Sequence, residues 1–496
     1  MTAQALLALC AYPLAAAALF LIMPIRRAIL AAYILGWMFL PQGRFPMVGV
    51  LPHLDRGLSI GIGIFGALCL LDLRRLAAFR PGLVDLPMAA VVITPLFSSI
   101  SNQLGVYDGL SAVLYRGLIF APPYLLGRLY FSDREGLRQL ALAVLVAGII
   151  YAPFCLIEAR LSPQLHNWVY GGHQHQFSQV YRLGGWRPMA FLQHGLATAM
   201  WMAAATLTGA WLWSTGVLRR PLWVLMLVGV ALTTLLCRSL GALFLLALGA
   251  AALTHARATG RGVVLGALLV VAPVYVSLRA TNAWTGEDLI AALRAVAPED
   301  RVQSVEFRLH NETLLADKAK ERPLLGWAGW GRSQITSKRG NAETVTDGWW
   351  IIKFGQNGVV GLVAFLVATS LPVVMFVRRV PARLWSRPEV APVAALAALC
   401  ALYTIDNLLN AMLNPMAIMA LGGLGGLLRG RGALRRLGVV RAGIPAPPGD
   451  GHPEVTPVPL AVTPAAAAAA RRRDGGPPLA PGAVAPGRGA EEEWTR

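Results

Sequence analysis

The chain has 496 residues, of which 56% are hydrophobic and 14% are charged, whereas soluble domains carry about 25% charged residues. This composition excludes an ordinary soluble globular protein. The net charge of +19 is of a size found in nucleic-acid-binding proteins. The basic residues, however, lie in short breaks between long apolar runs, so no nucleic-acid partner is predicted.

Long apolar runs recur from Ala5 to Leu428, separated by short breaks that carry arginine. Because backbone groups in hydrocarbon must bond internally, each run of about 20 apolar residues predicts a membrane-spanning helix. The sequence therefore predicts an all-α, polytopic transmembrane helical bundle of about 12–13 spans in a lipid bilayer. The candidate spans cover residues 5–23, 28–40, 58–73, 85–100, 112–131, 139–157, 190–214, 221–237, 240–254, 263–278, 348–377, 389–404 and 408–428.

The arginines predict the orientation of the bundle. When the breaks are assigned to alternate sides, one side receives arginine pairs such as Arg74-Arg75 and Arg378-Arg379, and the short loops of the other side hold few basic residues. Basic residues in short loops face the cytoplasm. The N-terminus then lies outside, the C-terminus inside, and the long connection 279–347 faces the exterior. The first apolar run has no basic residue before it, which favours a retained helix over a signal peptide.

Two regions are predicted along the chain. Residues 1–436 form the transmembrane domain, including the external loop 279–347. Residues 437–496 are rich in Pro, Ala and Gly, cannot bury enough apolar surface to fold, and are predicted to be a disordered cytoplasmic tail. The five cysteines fall in predicted spans without paired or CxxC spacing, so neither a disulfide framework nor a zinc site is predicted.

Ionisable residues at membrane depth are costly and mark function more often than surface charges do. The run 221–254 would be about 51 Å long as one helix, too long for a core of about 30 Å, so it predicts two helices joined by a turn at Arg238. That guanidinium could hold a phosphate bidentately, or it could only anchor the turn by snorkelling. Arg116, near the external end of its span, has the same two interpretations: binding of an anionic lipid headgroup, or snorkelling.

A polar segment with several histidines separates the sixth and seventh spans. His173 and His175 alternate, and with His166 or His194 they could chelate a metal if the segment were strand-like. No carboxylate or thiol completes the set, and a plain polar loop is the alternative. We predict no metal site.

The same segment carries two arginines around a tryptophan. Arg182, Trp186 and Arg187 combine an aromatic face with forked N–H donors. This combination favours a surface that binds a sugar phosphate.

The external loop has three distinct parts. Its first part contains Phe307-Arg308-Leu309-His310 and is predicted to be helical to about Glu321. The run Arg322-Pro323-Leu324-Leu325-Gly326-Trp327-Ala328-Gly329-Trp330-Gly331 follows and cannot be helical. Then Thr346-Asp347-Gly348-Trp349-Trp350 leads into the eleventh span, which continues through Gly358-Val359-Val360-Gly361-Leu362.

These segments resemble the O-antigen ligase and O-antigen polymerase family of bacterial envelope proteins. The resemblance depends on the runs 322–331 and 358–362, on the turn Arg238-Ser239-Leu240-Gly241, on Arg187-Pro188 opening the seventh span, and on the many-span topology with one large outer loop. It covers about residues 100–428.

Family members bind an undecaprenyl-diphosphate-linked glycan and transfer it to a hydroxyl of lipid A core or of a second growing glycan. They use neither a nucleotide sugar nor a required metal. The resemblance implies the same donor and acceptors for this chain, no cofactor, and a location in the bacterial inner membrane. It places Arg238 and Arg308 at the positions of arginines that hold the diphosphate.

The chain departs from the family pattern at one place. Ligases have His-Asn where this sequence has Asp347-Gly348, so the imidazole is missing, which favours a polymerase of exopolysaccharide or surface glycan over a lipid A ligase. We interpret Asp347 as the base that replaces the histidine, with a pKa raised by burial at the membrane face. Sugar rings are expected to lie against the faces of Trp327, Trp330, Trp349 and Trp350.

Asp347 has an alternative role as a cap for the helix that starts at Gly348, with the following two tryptophans forming an interfacial aromatic belt. Other loop carboxylates are also candidates for the base, namely Glu306, Glu312 and Glu343. Glu312 stands four residues after Arg308, so on a helix the two could simply pair with each other.

The competing function is a transporter or flippase for a polar lipid or solute. Transporters often carry internal repeats and broken helices at the midplane. The two halves of this chain show no such repeat, and most of the charge outside the cytoplasmic breaks lies at the external face. A structural scaffold for envelope assembly is a third class, but it would not require paired loop arginines.

Overall fold

The computed structural model describes residues 2–47, 53–177, 180–296, 299–329, 331–336, 343–430 and 432–439. These residues are helical apart from turns and a few short extended segments, so the predicted all-α class is confirmed. The chain divides into two units, Met1–Ala442 and Gly443–Arg496. The second unit lies outside the described residues, and with it almost all of the segment predicted to be a disordered tail.

Each of the thirteen predicted spans coincides with a helix. The remaining helices are short or belong to the connections. In chain order the helices are α1 (Ala3–Ile22), α2 (Ile25–Phe39), α3 (Arg56–Leu71), α4 (Leu73–Ala77), α5 (Leu86–Ser101), α6 (Gly105–Tyr130), α7 (Arg134–Leu161), α8 (Leu165–Tyr170), α9 (Gly195–Ser214), α10 (Leu222–Leu236), α11 (Leu240–Thr259), α12 (Val263–Ala280), α13 (Glu287–Val296), α14 (Glu299–Lys320), α15 (Trp349–Arg379), α16 (Ala391–Leu409), α17 (Pro415–Leu428) and α18 (Ala433–Arg436).

Four predicted helix starts differ from the structure by five residues or more. Two helices begin earlier than predicted, α6 at Gly105 instead of 112 and α7 at Arg134 instead of 139, and two begin later. The sequence predicts the seventh span from residue 190, but α9 begins five residues later, where the His194 ring accepts a hydrogen bond from the Leu196 N–H (2.9 Å). It predicts the last span from residue 408, but α17 begins after Asn414, whose side chain accepts from the Met416 N–H (2.8 Å). In both cases a polar capping residue sets the start of the helix, whereas the apolar run extends beyond it.

The lengths and surfaces of the helices identify a multi-pass membrane protein. Within the described residues, eight helices are long and apolar enough to cross a membrane, and three shorter apolar helices accompany them. Leu14 and Leu21 on α1 are 76% and 79% exposed, and many other large apolar side chains are exposed on the outer helices. Surfaces of this kind are stable when they face lipid.

The alanine-rich helix α16 forms the centre of the bundle. Its side chains are almost entirely buried, and it packs against α7, α9, α11, α12, α15 and α17. Small side chains let neighbouring backbones approach closely, which is the main source of helix association where lipid removes the hydrophobic driving force.

One end of the bundle, which we call the loop end, gathers the connections that the sequence assigns to the exterior. Arg187, in the connection between α7 and α9, donates to the Arg238 carbonyl between α10 and α11 (3.0 Å). Asn102, between α5 and α6, donates to the Gly326 carbonyl in the long connection between α12 and α15 (2.8 Å). The sequence predicts that these connections share one side of the membrane, and their contacts confirm that they share one end of the bundle.

Helix α15 is interrupted near its start, and the long loop fills the gap. At Gly358 the backbone leaves the helical region, with φ 62° and ψ −163°. The interruption exposes backbone groups, which pair with the loop: the Trp327 N–H donates to the Gly355 carbonyl (2.8 Å), and the Val359 N–H donates to the Pro323 carbonyl (2.7 Å). The two glycine-containing runs that carry the family resemblance therefore bind each other.

We expect Gly358→Ala to lower the free energy of unfolding by about 2 kcal/mol or more, because this backbone conformation is essentially confined to glycine. A Cβ at this position would also overlap the backbone of Leu324 and Leu325. Thermal unfolding in detergent measures the effect. Gly266→Ala in α12 is the matched control, since a Cβ there meets no atom within 4 Å. Equal melting temperatures for the two variants would contradict the interrupted helix.

Candidate functional site

Arg238 lies in the turn between α10 and α11, so the predicted fold-back of the run 221–254 is confirmed. Its φ is 48°, and Ser239 begins α11 by accepting a bond from the Ala242 N–H (3.5 Å). The guanidinium donates to the Leu183 carbonyl. Arg238 is therefore held against the segment that precedes α9.

That segment forms a hairpin of two short strands, β1 (Tyr181–Arg182) and β2 (Gly185–Trp186). Both residues of its two-residue turn have positive φ, as a tight hairpin of this type requires. Arg187 follows β2 directly, is buried, and donates to the Arg238 carbonyl (3.0 Å). The hairpin thus brings the two arginines of the polar segment next to Arg238.

Arg308 on α14 also lies in this region, because its charge contributes to the pKa of the His194 imidazole. The pKa of His194 is lowered to about 3, first by burial and then by its electrostatic interactions with His175, Arg187, Arg308 and Arg182. Three arginines from two separate segments of the chain, Arg182, Arg187 and Arg308, are therefore within electrostatic reach of one imidazole. We define the arginine cluster as Arg182, Arg187, Arg238 and Arg308.

Asp347 faces the arginine cluster. Its Oδ2 lies 3.4 Å from the Arg308 Nε, and the two side chains are 32% and 28% exposed. Burial raises the pKa of Asp347 above its ordinary value, and the charge of Arg308 opposes that increase. The N-cap of α15 is Gly348, and no side chain bonds to the start of this helix. The alternative that Asp347 caps α15 is therefore wrong.

Packing explains the glycine that follows Asp347. A Cβ at Gly348 would overlap the carbonyl oxygen of Leu408 at the end of α16. An asparagine, the residue that the sequence resemblance would place at this position, has no room here. The departure from the family pattern is thus matched by close contact between the start of α15 and the end of α16.

Asp406 is a second carboxylate within the electrostatic reach of Arg308. It lies near the end of α16, is buried, and accepts a bond from the Asn410 Nδ2 (2.7 Å). Our sequence analysis missed it. An ionisable residue within an apolar run is the feature that identified Arg238. Asp406 has the same feature and could have been identified from the sequence in the same way.

Glu312 belongs to a separate buried network. Its carboxylate accepts from the Tyr275 hydroxyl (2.7 Å), the Arg279 Nε (3.2 Å) and the Trp350 Nε1 (3.1 Å). The expected pairing of Glu312 with Arg308 is wrong, because α14 turns Glu312 toward α12 while Arg308 faces Asp347. This network fixes α14 to α12 and α15.

The other two loop carboxylates lie elsewhere on the loop. Glu306 forms an exposed ion pair with Arg294 (3.4 Å). Glu343 is exposed, and its backbone N–H donates to the Ile335 carbonyl (2.8 Å). Among the loop carboxylates that the structure describes, Asp347 is the one paired with a member of the arginine cluster.

The four predicted sugar-binding tryptophans have different surroundings. Trp350 is 0% exposed, so its ring has no face open to a sugar and its role is corrected to core packing. Trp327 donates from Nε1 to the Lys318 carbonyl (2.8 Å), and its ring is covered by the Lys318 Nζ at 4.0 Å. Trp349 stacks on Phe365 and lines a cavity. Trp330 lies outside the described residues.

Arg116 occupies a different part of the loop end. It donates to the Gln356 Oε1 and lies over the rings of Tyr115 (5.9 Å) and Trp349 (5.7 Å). It is thus turned toward α15, and together with Trp349 it lines a cavity of about 400 Å³. The Lys353 side chain, which our sequence analysis also missed, lies over the same Trp349 ring (5.9 Å).

The histidines of the polar segment pack against other rings. His175 lies edge-on to His194 (centroids 4.5 Å apart), and His173 lies against Phe177 (5.2 Å). In the part of the chain that the structure describes, no group of three or more His, Cys, Asp or Glu side chains is placed to hold a metal ion.

We expect Glu312→Gln to lower the free energy of unfolding by about 3 kcal/mol, because it leaves the buried Arg279 guanidinium without a countercharge. Denaturation in detergent, followed by tryptophan fluorescence, measures the loss. Glu321→Gln removes an exposed ion pair with Lys318 (2.7 Å), and as the matched control it should cost less than about 1 kcal/mol. A similar cost for both variants would refute the buried network.

Comparison with known proteins adds no further assignment. No known protein-family model matches this chain, and no curated protein matches it.

Proposed function

We propose that this protein is a membrane glycosyltransferase that transfers or polymerises undecaprenyl-diphosphate-linked oligosaccharide at the external leaflet of the bacterial inner membrane. The observation that carries the proposal is the arginine cluster with Asp347 paired to one of its members. The acceptor is a hydroxyl of a growing glycan or of lipid A core. The arginine distribution supports a periplasmic N-terminus and a cytoplasmic C-terminus.

The arginine cluster suits a diphosphate. Guanidinium groups bind phosphate oxygens through forked N–H pairs, and their charge persists at any physiological pH. Backbone carbonyls hold Arg238 from one side and Arg187 from another, so these donors are oriented before the substrate arrives. Preorganised positive groups stabilise charge that develops on a leaving group.

Asp347 is the proposed general base. The acceptor hydroxyl gives its proton to the Asp347 carboxylate while its oxygen bonds to the anomeric carbon of the donor glycan. The bond from that carbon to the diphosphate oxygen breaks, and the diphosphate leaves with the electron pair. The raised pKa of Asp347 makes it a stronger base than an ordinary carboxylate.

His194 is unsuited to the role of base, although it lies inside the arginine cluster. Its Nδ1 accepts the Leu196 N–H (2.9 Å), so in the neutral ring the proton lies on Nε2. Burial and the surrounding positive groups lower its pKa to about 3. We assign His194 a positioning role as a neutral wall of the cluster.

We expect Asp347→Asn to reduce glycan transfer by about a hundredfold or more, the usual contribution of a general base. Expression and membrane insertion should be unchanged, because the Asp347 side chain is partly exposed and does not cap α15. The assay measures polymer or ligated product, and undecaprenyl diphosphate released from a lipid-linked glycan, with purified full-length protein.

Glu306→Gln is the control for this substitution, because it removes another loop carboxylate that pairs away from the cluster. It should leave transfer unchanged. Full activity in Asp347→Asn would remove Asp347 from the mechanism. Movement of lipid-linked glycan across a vesicle membrane, without release of undecaprenyl diphosphate, would instead identify a transporter.

The pH dependence of transfer tests the pair of Asp347 and Arg308. The base must be ionised, so kcat/KM should rise with pH through the raised pKa of Asp347, above the ordinary aspartate value of about 3.9. Arg308→Gln should move this acidic limb to higher pH, because the charge that lowers the pKa is lost. Arg308→Lys keeps a charge and should leave the limb near its original position. An identical limb in all three proteins would contradict the assignment.

A further inference from the structure

The end of the bundle opposite the loop end gathers arginines from three separate segments of the chain. Helix α15 begins at the loop end and continues to Arg379, so its last turn marks the opposite end. Arg80 lies between α4 and α5, Arg429 directly follows α17, and Arg436 ends α18. The distribution of basic residues predicts that this end faces the cytoplasm. We call Arg80, Arg379, Arg429 and Arg436 the opposite-end arginines.

Neutral carbonyls accept the hydrogen bonds that join these arginines. The Arg429 Nη1 donates to the Arg80 carbonyl (3.4 Å), and the Arg436 Nη2 donates to the Arg429 carbonyl. The Arg379 Nη1 donates to the Gly430 carbonyl (3.1 Å). Burial lowers the pKa of Arg436, and the charges of Arg429 and Arg379 lower it further. Within the described residues, no carboxylate forms an ion pair with any of the four, so no acid offsets charges that act on one another.

Two adjoining cavities lie among the opposite-end arginines. Arg80 lines the smaller cavity, of about 270 Å³, and Arg379 lines the larger one, of about 630 Å³. Arg429 and Arg436 line both cavities. Among the described residues, no carboxylate lines either of them. Each cavity therefore presents three guanidinium groups without an acid, and such a concentration of positive charge attracts an anion.

A fifth arginine of this region has a structural role instead. Arg128 lines the smaller cavity, but it is buried and pairs with Asp85 at 2.6 Å. The Asp85 carboxylate also accepts from the Tyr124 hydroxyl (2.8 Å) and from the Gly82 N–H (2.8 Å). The charge of Arg128 is thus matched within the protein. The charge available to a ligand comes from the opposite-end arginines.

The larger cavity also has an apolar wall. Leu371 and Met375 line it from α15, about two turns and one turn before Arg379. Leu83 and Val84 line it from the segment before α5. The cavity is therefore basic at the end of the bundle and apolar toward its middle. A phospholipid has the same arrangement, with its phosphate at the membrane surface and its acyl chains in the hydrocarbon core, whereas a free phosphate would leave the apolar wall without a partner.

We propose that the two cavities form one site for an anionic phospholipid with two phosphate groups, one in each cavity. Arg429 and Arg436 contact both phosphates from the shared wall, Arg80 contacts the first, and Arg379 contacts the second. The acyl chains lie against the apolar wall of the larger cavity. Basic pockets between helices at the cytoplasmic side are suited to such headgroups. The lipid connects the ends of α15 and α17 to the segment before α5, and the inference does not depend on the proposed transfer reaction.

Lipid binding to the full-length protein, delipidated in detergent, tests the inference, with affinities from native mass spectrometry. The probes are cardiolipin with two phosphates, phosphatidylglycerol with one, and zwitterionic phosphatidylethanolamine. Cardiolipin should bind about tenfold more tightly than phosphatidylglycerol, and phosphatidylethanolamine should bind most weakly. Arg429→Gln/Arg436→Gln should weaken cardiolipin binding about tenfold or more, the effect of losing charge-assisted hydrogen bonds. Arg80→Gln, at an exposed position on another segment, should weaken it as well.

Arg219→Gln/Arg257→Gln is the matched control. These two arginines lie after α9 and near the end of α11, at the same end of the bundle but outside both cavities. They also donate to backbone carbonyls, those of Gly216 and Ser214 (3.1 Å each). The control removes the same charge and should keep the cardiolipin affinity of the unmodified protein. Cardiolipin should also raise the melting temperature of the control more than that of Arg429→Gln/Arg436→Gln.

Equal losses of affinity in the two double variants would show attraction to the general charge of this end and would overturn the site. Similar affinities for cardiolipin and phosphatidylethanolamine would overturn it too. Phosphatidylglycerol that binds as tightly as cardiolipin would contradict the two-phosphate occupant. Displacement of cardiolipin by inorganic phosphate would identify a site for a soluble anion and contradict the assignment to a lipid.

Discussion

The backbone pairing between the long loop and the interrupted start of α15 holds the candidate site together. At Gly358 the helix leaves its regular path, and the loop at Pro323 and Trp327 takes up the freed hydrogen bonds. Unpaired backbone groups near the membrane would be costly, so this pairing is strongly favoured. It ties the loop that follows α14 to the first part of α15, while the Glu312 network fixes the middle of α14, close to Arg308, to α12 and α15. Together these contacts hold the two helices that flank the ion pair of Arg308 and Asp347.

Charge at the loop end is arranged in two different ways. Where a charge is structural, as at Arg279, it is fully enclosed and matched by Glu312 and neighbouring hydrogen bonds. In the arginine cluster, Arg187 and Arg238 lie against neutral carbonyls instead, and Asp347 is the acid paired with Arg308. A buried pair that is complete resists change, whereas a group of neighbouring cations attracts an anionic ligand. This difference separates the buried Glu312 network from the proposed binding surface at the loop end.

The spans and the α10–α11 turn were predictable from the sequence because membrane insertion depends on local hydropathy and length, which need no knowledge of the packed structure. The same reasoning failed for Trp350 and Glu312, whose environments depend on how α14 turns against α12 and α15. Asp406 and Lys353 are each a lone ionisable residue in an apolar span, so the sequence could have identified both as candidate site residues. The cavity beside Trp349 was not predictable, because the arginines that line it, Arg44, Arg56 and Arg116, come from segments that only the folded bundle brings together.

In the proposed reaction, an aspartate base at position 347 gives a different charge balance from the histidine of the family that the sequence resembles. A histidine base begins neutral and becomes cationic, whereas Asp347 begins anionic and becomes neutral. Before transfer, Asp347 offsets the charge of Arg308 at 3.4 Å. As it takes the acceptor proton, that offset disappears, and the full charge of Arg308 acts on the diphosphate as negative charge develops there. The interaction is then stronger in the transition state than in the ground state, which is the condition for raising kcat.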